Sequence, residues 1–360
     1  MAASGVPRLV YQQWQLLLVH GHAPGKWLQE PKEVVMTASR LLIGLTALIL
    51  IPMSARAEDQ NVEVQVVDAM DKVFGAHPGF RAFHAKGIVV EGTFVGSPQG
   101  AALSQAKVFD GTSIPVTIRF SNNGGLPTVP DGSADANPHG MAIKFHLPDG
   151  SETDMVTNSL KFFPVSTASD LRDLFEAIAA SPEGAPKPTK FEQFVAAHPK
   201  VGPAFATAAT PSSFAAEEYH GLNAFVLVNS RGERQAVRYL IVPERVAHIE
   251  ASAAAARGPN YLMDEIPDRL ARGPVIFHLK AQISEPSDIT NDPSQPWPET
   301  RKVEELGVIT ITNSVSNSAE AQKELLYLPG RIIEGIELSD DPMVSIRDGA
   351  YAVSFSRRSQ

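Results

Sequence analysis

Residues 114–125 of this 360-residue chain have the sequence IPVTIRFSNNGG. Through residues 115–121 apolar and β-branched residues alternate with other types, which is typical of a strand with one buried face. Arg119 interrupts this strand and shares a face with Thr117 and Ser121. A buried arginine needs an anionic partner, because an unpaired charge is costly inside a protein. That partner is either an internal Asp or Glu, or a carboxylate or phosphate of a ligand.

Similar strand patterns occur on both sides of this segment. They cover residues 86–92, 141–147, 223–229, 236–242, 274–283 and 307–313. The third and fourth of these flank a polar turn and predict a hairpin. Apolar stripes predict helices at 169–180 and 191–197. Strands with inserted helices favour an α+β fold built on an antiparallel β-barrel or sheet, in one domain of about 300 residues.

The composition excludes several classes of protein. Hydrophobic residues make up 43% of the chain and charged residues 20%, which are values of a globular protein. The net charge of -9 argues against a nucleic-acid binder and against a protein that binds anionic membranes. The chain has no cysteine, so a disulfide scaffold, thiol catalysis, a thiolate-bound haem and cysteine-bound iron–sulfur clusters are excluded.

The N-terminal region carries the pattern of an export signal. The apolar run LLIGLTALILIPM follows Arg40 and is too short to cross a bilayer comfortably. An Ala-Arg-Ala cleavage site comes directly after it. We therefore expect an upstream extension from a start codon assigned too early (residues 1–35), a signal peptide that begins at Met36 (36–57) and a mature domain (58–360). The alternative is a cytoplasmic extension followed by an uncleaved anchor. The first interpretation predicts a periplasmic or secreted protein without stable membrane association.

Two further motifs carry residues suited to chemistry. His84 lies in FRAFHAKG, just before a predicted strand. Near the C-terminus, Arg347 and Tyr351 are four residues apart and share a face if the segment is helical. A guanidinium beside a tyrosine hydroxyl favours the phenolate, which is a ligand for ferric iron and one of the known haem ligands. Each motif alone also fits an ordinary structural residue.

Taken in order, the motifs resemble those of the haem catalases. They are FRAFHAKG, PVTIRFS, NPHGMAIKFHLPDGSETDMVTN, DPSQPWP and PGRIIEGIELSDDPMVSIRDGAY, and they extend from Phe80 to the C-terminus. The resemblance implies a barrel of the haem-catalase type with helical insertions. Two departures are seen: the family's Asp-Pro-Arg-Gly is Asn-Pro-His-Gly at 137–140, and the chain ends nine residues after Tyr351. It therefore resembles the short catalase-related peroxidases, which lack the C-terminal helical region of large catalases.

The resemblance also implies roles for residues of the iron site. His84 matches the distal histidine, and Tyr351 matches the axial ligand of the haem iron. Arg347 matches the arginine that keeps this tyrosine ionised. Asn158 matches the distal asparagine, although an alignment on the following Phe-Phe pair would place Thr157 there instead.

The same resemblance implies a binding site for haem b. Arg81, Arg119 and Arg358 match the arginines that hold the haem propionates. Ser121 matches a serine that forms a hydrogen bond with the distal histidine. The expected partners are hydrogen peroxide and a small organic reductant, with no nucleic acid, and the protein is expected to be a monomer or a homodimer.

The implied function is a haem peroxidase that reduces hydrogen peroxide, and some organic hydroperoxides, with weak or no catalase activity. Three alternatives stay open. One is a true catalase, or a related haem enzyme that acts on organic hydroperoxides. Another is a non-catalytic periplasmic haem-binding barrel. The third is a haem-free metal enzyme, although the ten histidines include no HExxH motif.

Overall fold

An antiparallel β-sheet forms the centre of the computed structural model, which describes residues 62–359. Within that range the strands are β1 (Gly87–Gly96), β2 (Ser113–Ser121), β3 (Gly140–His146), β4 (Glu152–Asn158), β5 (Tyr219–His220), β6 (Phe225–Val228), β7 (Arg234–Pro243), β8 (Val275–Ile283), β9 (Val303–Ser314) and β10 (Ile336–Leu338). The helices are α1 (Val62–Phe74), α2 (Pro98–Leu103), α3 (Ala168–Ala179), α4 (Lys190–Ala197), α5 (Val201–Phe205), α6 (Ala251–Ala255), α7 (Tyr261–Leu270), α8 (Ser318–Glu324) and α9 (Met343–Arg358). The predicted upstream extension and signal peptide lie outside the described residues.

The sheet closes on itself to form a barrel. Its strand order is β10-β6-β7-β5-β4-β3-β2-β1-β9-β8, and β7 also pairs with β8. Eight antiparallel strands, from β7 through β5 to β8, therefore form a closed ring, while β6 and β10 extend from the first half of β7. A β-bulge at Glu91/Gly92 interrupts the register between β1 and β9. The predicted antiparallel barrel with inserted helices is confirmed.

Strand β2 has two different faces. Ile118 and Phe120 are fully buried in the barrel core, where the ring of Phe120 stacks on that of Phe214 at 5.4 Å. Arg119 and Ser121 alternate with them and border a cavity outside the barrel. The alternation of apolar and polar residues that the sequence shows in β2 therefore corresponds to one face in the barrel core and one face toward the cavity.

A second apolar core lies among the helices. It joins buried residues of α1, α3, α4, α5 and α9. Helix α3 contributes Leu171, Leu174 and Phe175, and the Thr167 hydroxyl caps its N-terminus by accepting from the Asp170 N–H. The cavity lies between this helical core and the barrel wall.

Every predicted strand and helix is found, with ends that differ by up to four residues. No sequence pattern predicted α1, β4 and α7, or the short elements α2, α5, α6, α8, β5 and β10. Helix α7 contains Pro267, and β4 (ETDMVTN) is largely polar. None of the helices within residues 62–359 is long and apolar enough to span a membrane.

Candidate active site

A large cavity lies between the outer face of β2, β3 and β4 and the helices α1, α3 and α9. Its empty space, including the part open to solvent, is about 1380 Å³. Much of the wall is apolar, with Val66, Leu174 and Phe175 among its residues. The predicted site residues come from distant parts of the chain, yet all eight border this cavity. They are Arg81, His84, Arg119, Ser121, Asn158, Arg347, Tyr351 and Arg358.

The backbone holds His84 at the cavity wall in an unusual conformation. His84 has a φ of +56°, and no other non-glycine residue within 62–359 has a positive φ. Such a conformation costs about 1–3 kcal/mol and is kept mainly at functional sites. Gly140 allows β3 to approach the ring, because a Cβ there would lie 2.8 Å from the Ser121 hydroxyl and 3.4 Å from the imidazole. The imidazole position is therefore set by the surrounding chain.

Hydrogen bonds identify the basic nitrogen of His84. Its Nδ1 lies 2.8 Å from the carbonyl oxygen of Asn122 and 3.3 Å from the Ser121 hydroxyl. A carbonyl only accepts, so Nδ1 carries the proton and Nε2 keeps a free lone pair. Burial lowers the pKa of His84 to about 4, opposed by the Asn122 carbonyl and aided by nearby arginines. The ring is therefore neutral at pH 7, with Nε2 as a base.

Asn158 and Thr157 occupy different environments at the end of β4. Thr157 is buried, and its hydroxyl donates to the Met141 carbonyl at 2.7 Å. The Oδ1 atom of Asn158 accepts from the Leu160 N–H at 2.9 Å. Its Nδ2 has no partner among the described residues, which leaves a donor at the cavity wall. Of the two residues, Asn158 is the one suited to donate a hydrogen bond to a ligand.

Arg347 and Tyr351 lie one turn apart on α9, as the spacing predicts. The Nε and Nη2 atoms of Arg347 donate to the Tyr351 hydroxyl oxygen at 3.2 and 3.1 Å. Its Nη1 donates to Asn223, whose Nδ2 donates to Asp341 at 2.7 Å. The buried guanidinium is fixed on both sides, so its positive charge is directed at the tyrosine oxygen.

Three further arginines meet on the segment that follows β9. Arg81 donates to the carbonyls of Gln322 and Leu325 at 3.3 and 2.7 Å. Arg358 donates to the same Leu325 carbonyl at 2.6 Å. The Nε of Arg119 donates to the side-chain oxygen of Gln322 at 2.7 Å. No carboxylate within residues 62–359 forms an ion pair with any of the three.

The positive charges of these arginines are not compensated by the chain. Burial lowers the pKa of Arg81 to about 10 and that of Arg358 to about 9. Burial also holds the pKa of Arg119 well below its ordinary range, and Arg81 lowers it further. Clustered buried cations are unfavourable unless an anion joins them. The cavity is therefore suited to a ligand with carboxylates, which is the second of the two alternatives considered for the partner of Arg119; no internal Asp or Glu within residues 62–359 fills that role.

Some residues that support the site were not identified from the sequence. Asn122 accepts from His84, Asn223 accepts from Arg347, and Gln322 accepts from Arg119. Asn122 directly follows Ser121 in the motif that was singled out, so its proximity could have been inferred. Asn223 begins the predicted strand 223–229, and Gln322 lies in a segment without a predicted element. Nothing in either segment indicates a contact with the site arginines, and only the tertiary fold brings these two residues here.

Comparison with known proteins gives consistent results. The catalase family model matches residues 64–359. A catalase-related peroxidase from Mycolicibacterium paratuberculosis is 37% identical over 299 residues, which cover 82% of this chain and 94% of that protein. A catalase-related peroxidase from Synechococcus elongatus is 32% identical over 304 residues, which cover 82% of this chain and 88% of that protein.

Larger catalases are more distant. Catalase A from Emericella nidulans is 28% identical over 297 residues, and the match covers 75% of this chain but 39% of that protein. Among solved structures, a fungal catalase superposes with a TM-score of 0.68 at 17% identity, over 90% of this chain and 66% of that one. A bacterial catalase gives the same TM-score at 20% identity. The structural likeness concerns the fold, and the sequence matches give the family. The chain belongs to the catalase family, within its short group of catalase-related peroxidases.

Proposed function

We propose that this protein is a haem b peroxidase that reduces hydrogen peroxide with electrons from a small organic donor. One observation carries the proposal: a single cavity brings together a neutral histidine base, a tyrosine oxygen fixed by a buried arginine, and three arginines without a carboxylate partner. The names of the two most similar relatives described above support peroxidase activity.

The residues of the cavity fit haem b. Its two propionates would supply the carboxylates that Arg81, Arg119 and Arg358 lack. The apolar walls suit a porphyrin, and a tyrosine oxygen is a known haem ligand. The chain has no cysteine, so the thioether attachment of c-type haem is excluded. When bound, the haem would supply the iron that receives peroxide and stores its oxidising equivalents.

His84 and Asn158 would act on peroxide. Nε2 of His84 is unprotonated, so it removes the proton from one peroxide oxygen and returns it to the other, which leaves as water. Nδ2 of Asn158 donates a hydrogen bond that orients the peroxide. The Asn122 carbonyl keeps the other proton of His84 on Nδ1, 2.8 Å away, so Nε2 stays available after each transfer.

Tyr351 would bind the iron as an anionic oxygen ligand. Two N–H groups of Arg347 donate to this oxygen and stabilise negative charge on it. Asn223 and Asp341 hold the guanidinium in place from behind. An electron-rich oxygen ligand favours a high oxidation state of the iron, which peroxide reduction requires.

We propose that an organic donor, rather than a second peroxide, completes the cycle. Dismutation by a true catalase is the second candidate, supported by the more distant catalase relatives. The two are separated by oxygen release, measured with an oxygen electrode with and without a donor. Oxygen release that dominates peroxide consumption in the presence of donor would contradict the peroxidase proposal. Organic hydroperoxides are tested in the same assay.

The domain boundaries and localisation stay proposals. The apolar run and Ala-Arg-Ala site support cleavage before Glu58, with residues 1–35 untranslated and the domain from 58 exported to the periplasm or secreted. N-terminal sequencing of protein purified from the periplasm of an expressing bacterium tests both points. Protein that begins at Met1 and stays in the cytoplasm would contradict them. Sedimentation would distinguish a monomer from a homodimer.

The first prediction concerns the iron ligand. The domain from Glu58, expressed with haem supplied, is expected to show a high-spin ferric spectrum typical of tyrosine ligation. Tyr351→Phe removes the ligand oxygen and is expected to alter or abolish that spectrum. Tyr261→Phe is the matched control, because its hydroxyl donates to the Pro211 carbonyl and the residue does not border the cavity. Identical spectra of all three proteins would contradict the assignment of Tyr351.

A further inference from the structure

A buried ion pair lies beside the chain segment that carries His84. The Nζ atom of Lys86 is 2.7 Å from Oδ1 of Asp131, and the two side chains are 10% and 0% exposed. Neither residue borders the large cavity. Lys86 follows His84 by two residues in the sequence, so the pair anchors the segment in which the base lies.

Both members of this pair are fully hydrogen-bonded. The ammonium group of Lys86 has three donors and three acceptors: Asp131, the Val129 carbonyl at 2.8 Å and the Pro259 carbonyl at 2.7 Å. The second carboxylate oxygen of Asp131, Oδ2, accepts from the Leu262 N–H at 2.8 Å, in the first turn of α7. A buried ion pair is favourable only when the remaining polar atoms are satisfied in this way. The carboxylate of Asp131 is therefore held at a fixed place.

Asp131 also reaches the residue that fixes the proton of His84. Its Oδ1 atom accepts a hydrogen bond from Nδ2 of Asn122 at 2.7 Å, and Asn122 is completely buried. The backbone carbonyl of the same Asn122 accepts the Nδ1 proton of His84 at 2.8 Å. The Asn122 N–H donates to the Lys86 carbonyl at 3.0 Å. One carboxylate oxygen thus joins the two chain segments that hold the imidazole.

The position of the Asn122 carbonyl matters because a neutral histidine has two possible forms. A carbonyl can only accept, so it keeps the proton on Nδ1 and the lone pair on Nε2. The other neighbour of Nδ1 is the Ser121 hydroxyl at 3.3 Å, which can either donate or accept. If the carbonyl is displaced, this hydroxyl can donate to Nδ1, and the proton then lies on Nε2. In that form His84 has no lone pair with which to act on peroxide.

The backbone of His84 needs support from the same region. Its positive φ is unfavourable and persists only where the surrounding structure holds it. The next residue, Ala85, donates its N–H to the Gly124 carbonyl at 3.0 Å, and the one after it is Lys86 in its ion pair. The strained residue is therefore followed directly by two anchored ones.

We propose that Asp131 is a positioning residue for the reaction with peroxide, which holds the Asn122 carbonyl against His84 and thereby keeps the lone pair of the base on Nε2. Asp131 touches neither substrate nor haem and acts through Asn122 and Lys86. The inference rests on the proposed function for its peroxide step. The position of the ring proton is a separate property, which is measured without peroxide.

Two variants interrupt this connection in different ways. Asn122→Ala removes the side-chain bond to Asp131 and leaves the ion pair with Lys86 intact, so the fold is expected to be kept. Asp131→Ala removes the carboxylate itself and leaves Lys86 buried without a partner, which is costly. If Asp131→Ala does not fold, Asn122→Ala alone decides the test.

Asp154→Ala is the matched control. The side chain of Asp154 is also 0% exposed, and its Oδ1 lies 2.9 Å from Nζ of Lys144, which is 7% exposed. Its Oδ2 accepts from the Leu328 N–H at 2.9 Å, as Oδ2 of Asp131 accepts from a backbone N–H. Asp154 does not border the large cavity and forms no hydrogen bond with His84. This variant therefore removes a buried carboxylate of the same kind without disturbing the base.

The position of the ring proton is measured by ¹⁵N NMR. The domain from Glu58 is labelled at histidine and loaded with gallium protoporphyrin IX, which is diamagnetic and leaves the signals sharp. Protonated and unprotonated ring nitrogens have well-separated shifts, and His84→Ala identifies the signals of this ring. The haem-loaded form of each variant then gives the rate of the peroxide step by stopped-flow absorption.

In the unsubstituted protein and in Asp154→Ala, we expect a protonated Nδ1 and an unprotonated Nε2. Asn122→Ala and Asp131→Ala are both expected to populate the form with the proton on Nε2. Their peroxide step should slow about tenfold, because a base that is displaced or in the wrong form loses much of its effect. The ferric absorption spectrum should not change, since the oxygen of Tyr351 is unaffected.

The expected loss is smaller than that of His84→Ala because part of the support remains. The Asn123 N–H donates to the Ala136 carbonyl at 2.9 Å, and neither variant removes this bond. The Asn122 carbonyl therefore stays near the ring and still binds its proton in a fraction of the molecules.

Several results would overturn the proposal. They are an unchanged ring or an unchanged peroxide rate in Asn122→Ala, a slower peroxide step with Nδ1 still fully protonated, and the same proton shift in Asp154→Ala. Failure of the proposed function looks different, because the unsubstituted haem-loaded protein would then not react with peroxide. In that case the NMR comparison still shows whether Asp131 fixes the proton of His84.

Discussion

At the scale of residues, His84 combines a strained backbone with a defined protonation state. Its positive φ and its bond to the Asn122 carbonyl fix the ring and leave Nε2 as the free base. The low pKa keeps that base available at neutral and mildly acidic pH. These features support the proposed role of His84 as the base that acts on peroxide.

His84→Ala is expected to slow the reaction with peroxide roughly 10²- to 10⁴-fold, because general acid–base catalysis is lost. Haem content and the ferric absorption spectrum should stay the same, since His84 is not the proposed iron ligand. Stopped-flow absorption measures the peroxide step directly. His198→Gln is the control, because this histidine stacks on Phe194 and does not border the cavity. An unchanged peroxide rate in His84→Ala would instead favour the non-catalytic haem-binding barrel.

The pH dependence of the peroxide step follows from the pKa of His84, which lies at about 4. The base works only when it is unprotonated, so the rate should be constant at neutral pH and fall as the pH drops through that value. The second-order rate constant, measured by rapid pH-jump mixing, reports this ionisation in the free enzyme. A fall centred near pH 6.5, the ordinary value for histidine, would show that the ring is not buried as described.

At the scale of elements, the segments predicted from the sequence were those with a regular pattern of apolar residues. The alternation in β2 and the apolar stripe of α3 were sufficient to predict both. Strand β4 was missed because its buried face carries Thr153 and Thr157 as well as Met155. Helix α7 was missed because tertiary contacts override the unfavourable Pro267. The site residues were predicted from the order of the motifs that resemble those of the haem catalases. Asn223 and Gln322 were not, because their positions depend on long-range contacts that no local pattern encodes.

The β-bulge between β1 and β9 gives a prediction about barrel stability. A Cβ on Gly92 would lie 2.1 Å from the Thr310 carbonyl oxygen and 2.8 Å from the Ile311 Cα, both backbone atoms that cannot move easily. Gly92→Ala is therefore expected to lower the free energy of unfolding by about 3 kcal/mol. Gly202→Ala in α5 is the control, because nothing lies within 4 Å of its added methyl group. Urea unfolding curves measure both, and equal midpoints would contradict the description of the bulge.

At the scale of the whole molecule, two cores meet at one cavity. The barrel supplies Arg119, Ser121 and Asn158, and the helical core supplies Arg347 and Tyr351. Neither core contains a complete site, so the chemistry depends on how the helices pack on the barrel wall. The connecting segment after β9 adds the carbonyls that receive the arginines.

Buried histidines predict how the molecule responds to acid. The unfolded chain protonates His139 near the ordinary pKa of 6.5, whereas the folded chain does so only near 3. Its contribution to stability is therefore full above the first value and is lost as the pH falls toward the second. Between about pH 7 and pH 5 this residue alone should remove about 2 kcal/mol from the free energy of unfolding.

His139→Leu is expected to lose about 2 kcal/mol less than the unsubstituted protein over the same pH interval, because leucine does not titrate. Chemical unfolding at both pH values, followed by far-UV circular dichroism, gives the difference. His278→Leu is the control, because His278 is partly exposed and pairs with Glu305 on the barrel surface. Parallel losses in all three proteins would show that His139 is not held neutral in the folded state.

Closure of the barrel by β7 and β8 also affects how copies of the protein meet one another. An open sheet offers two outer strands to which a neighbouring chain can add, and such addition begins many fibrils. Within residues 62–359, closure of the ring pairs one of those two edges, and the sheet ends at β10. That strand has three residues, and its central Glu337 is paired with Arg234. A short, charged outer strand is a poor template for growth, so we expect this edge to resist the addition of another chain.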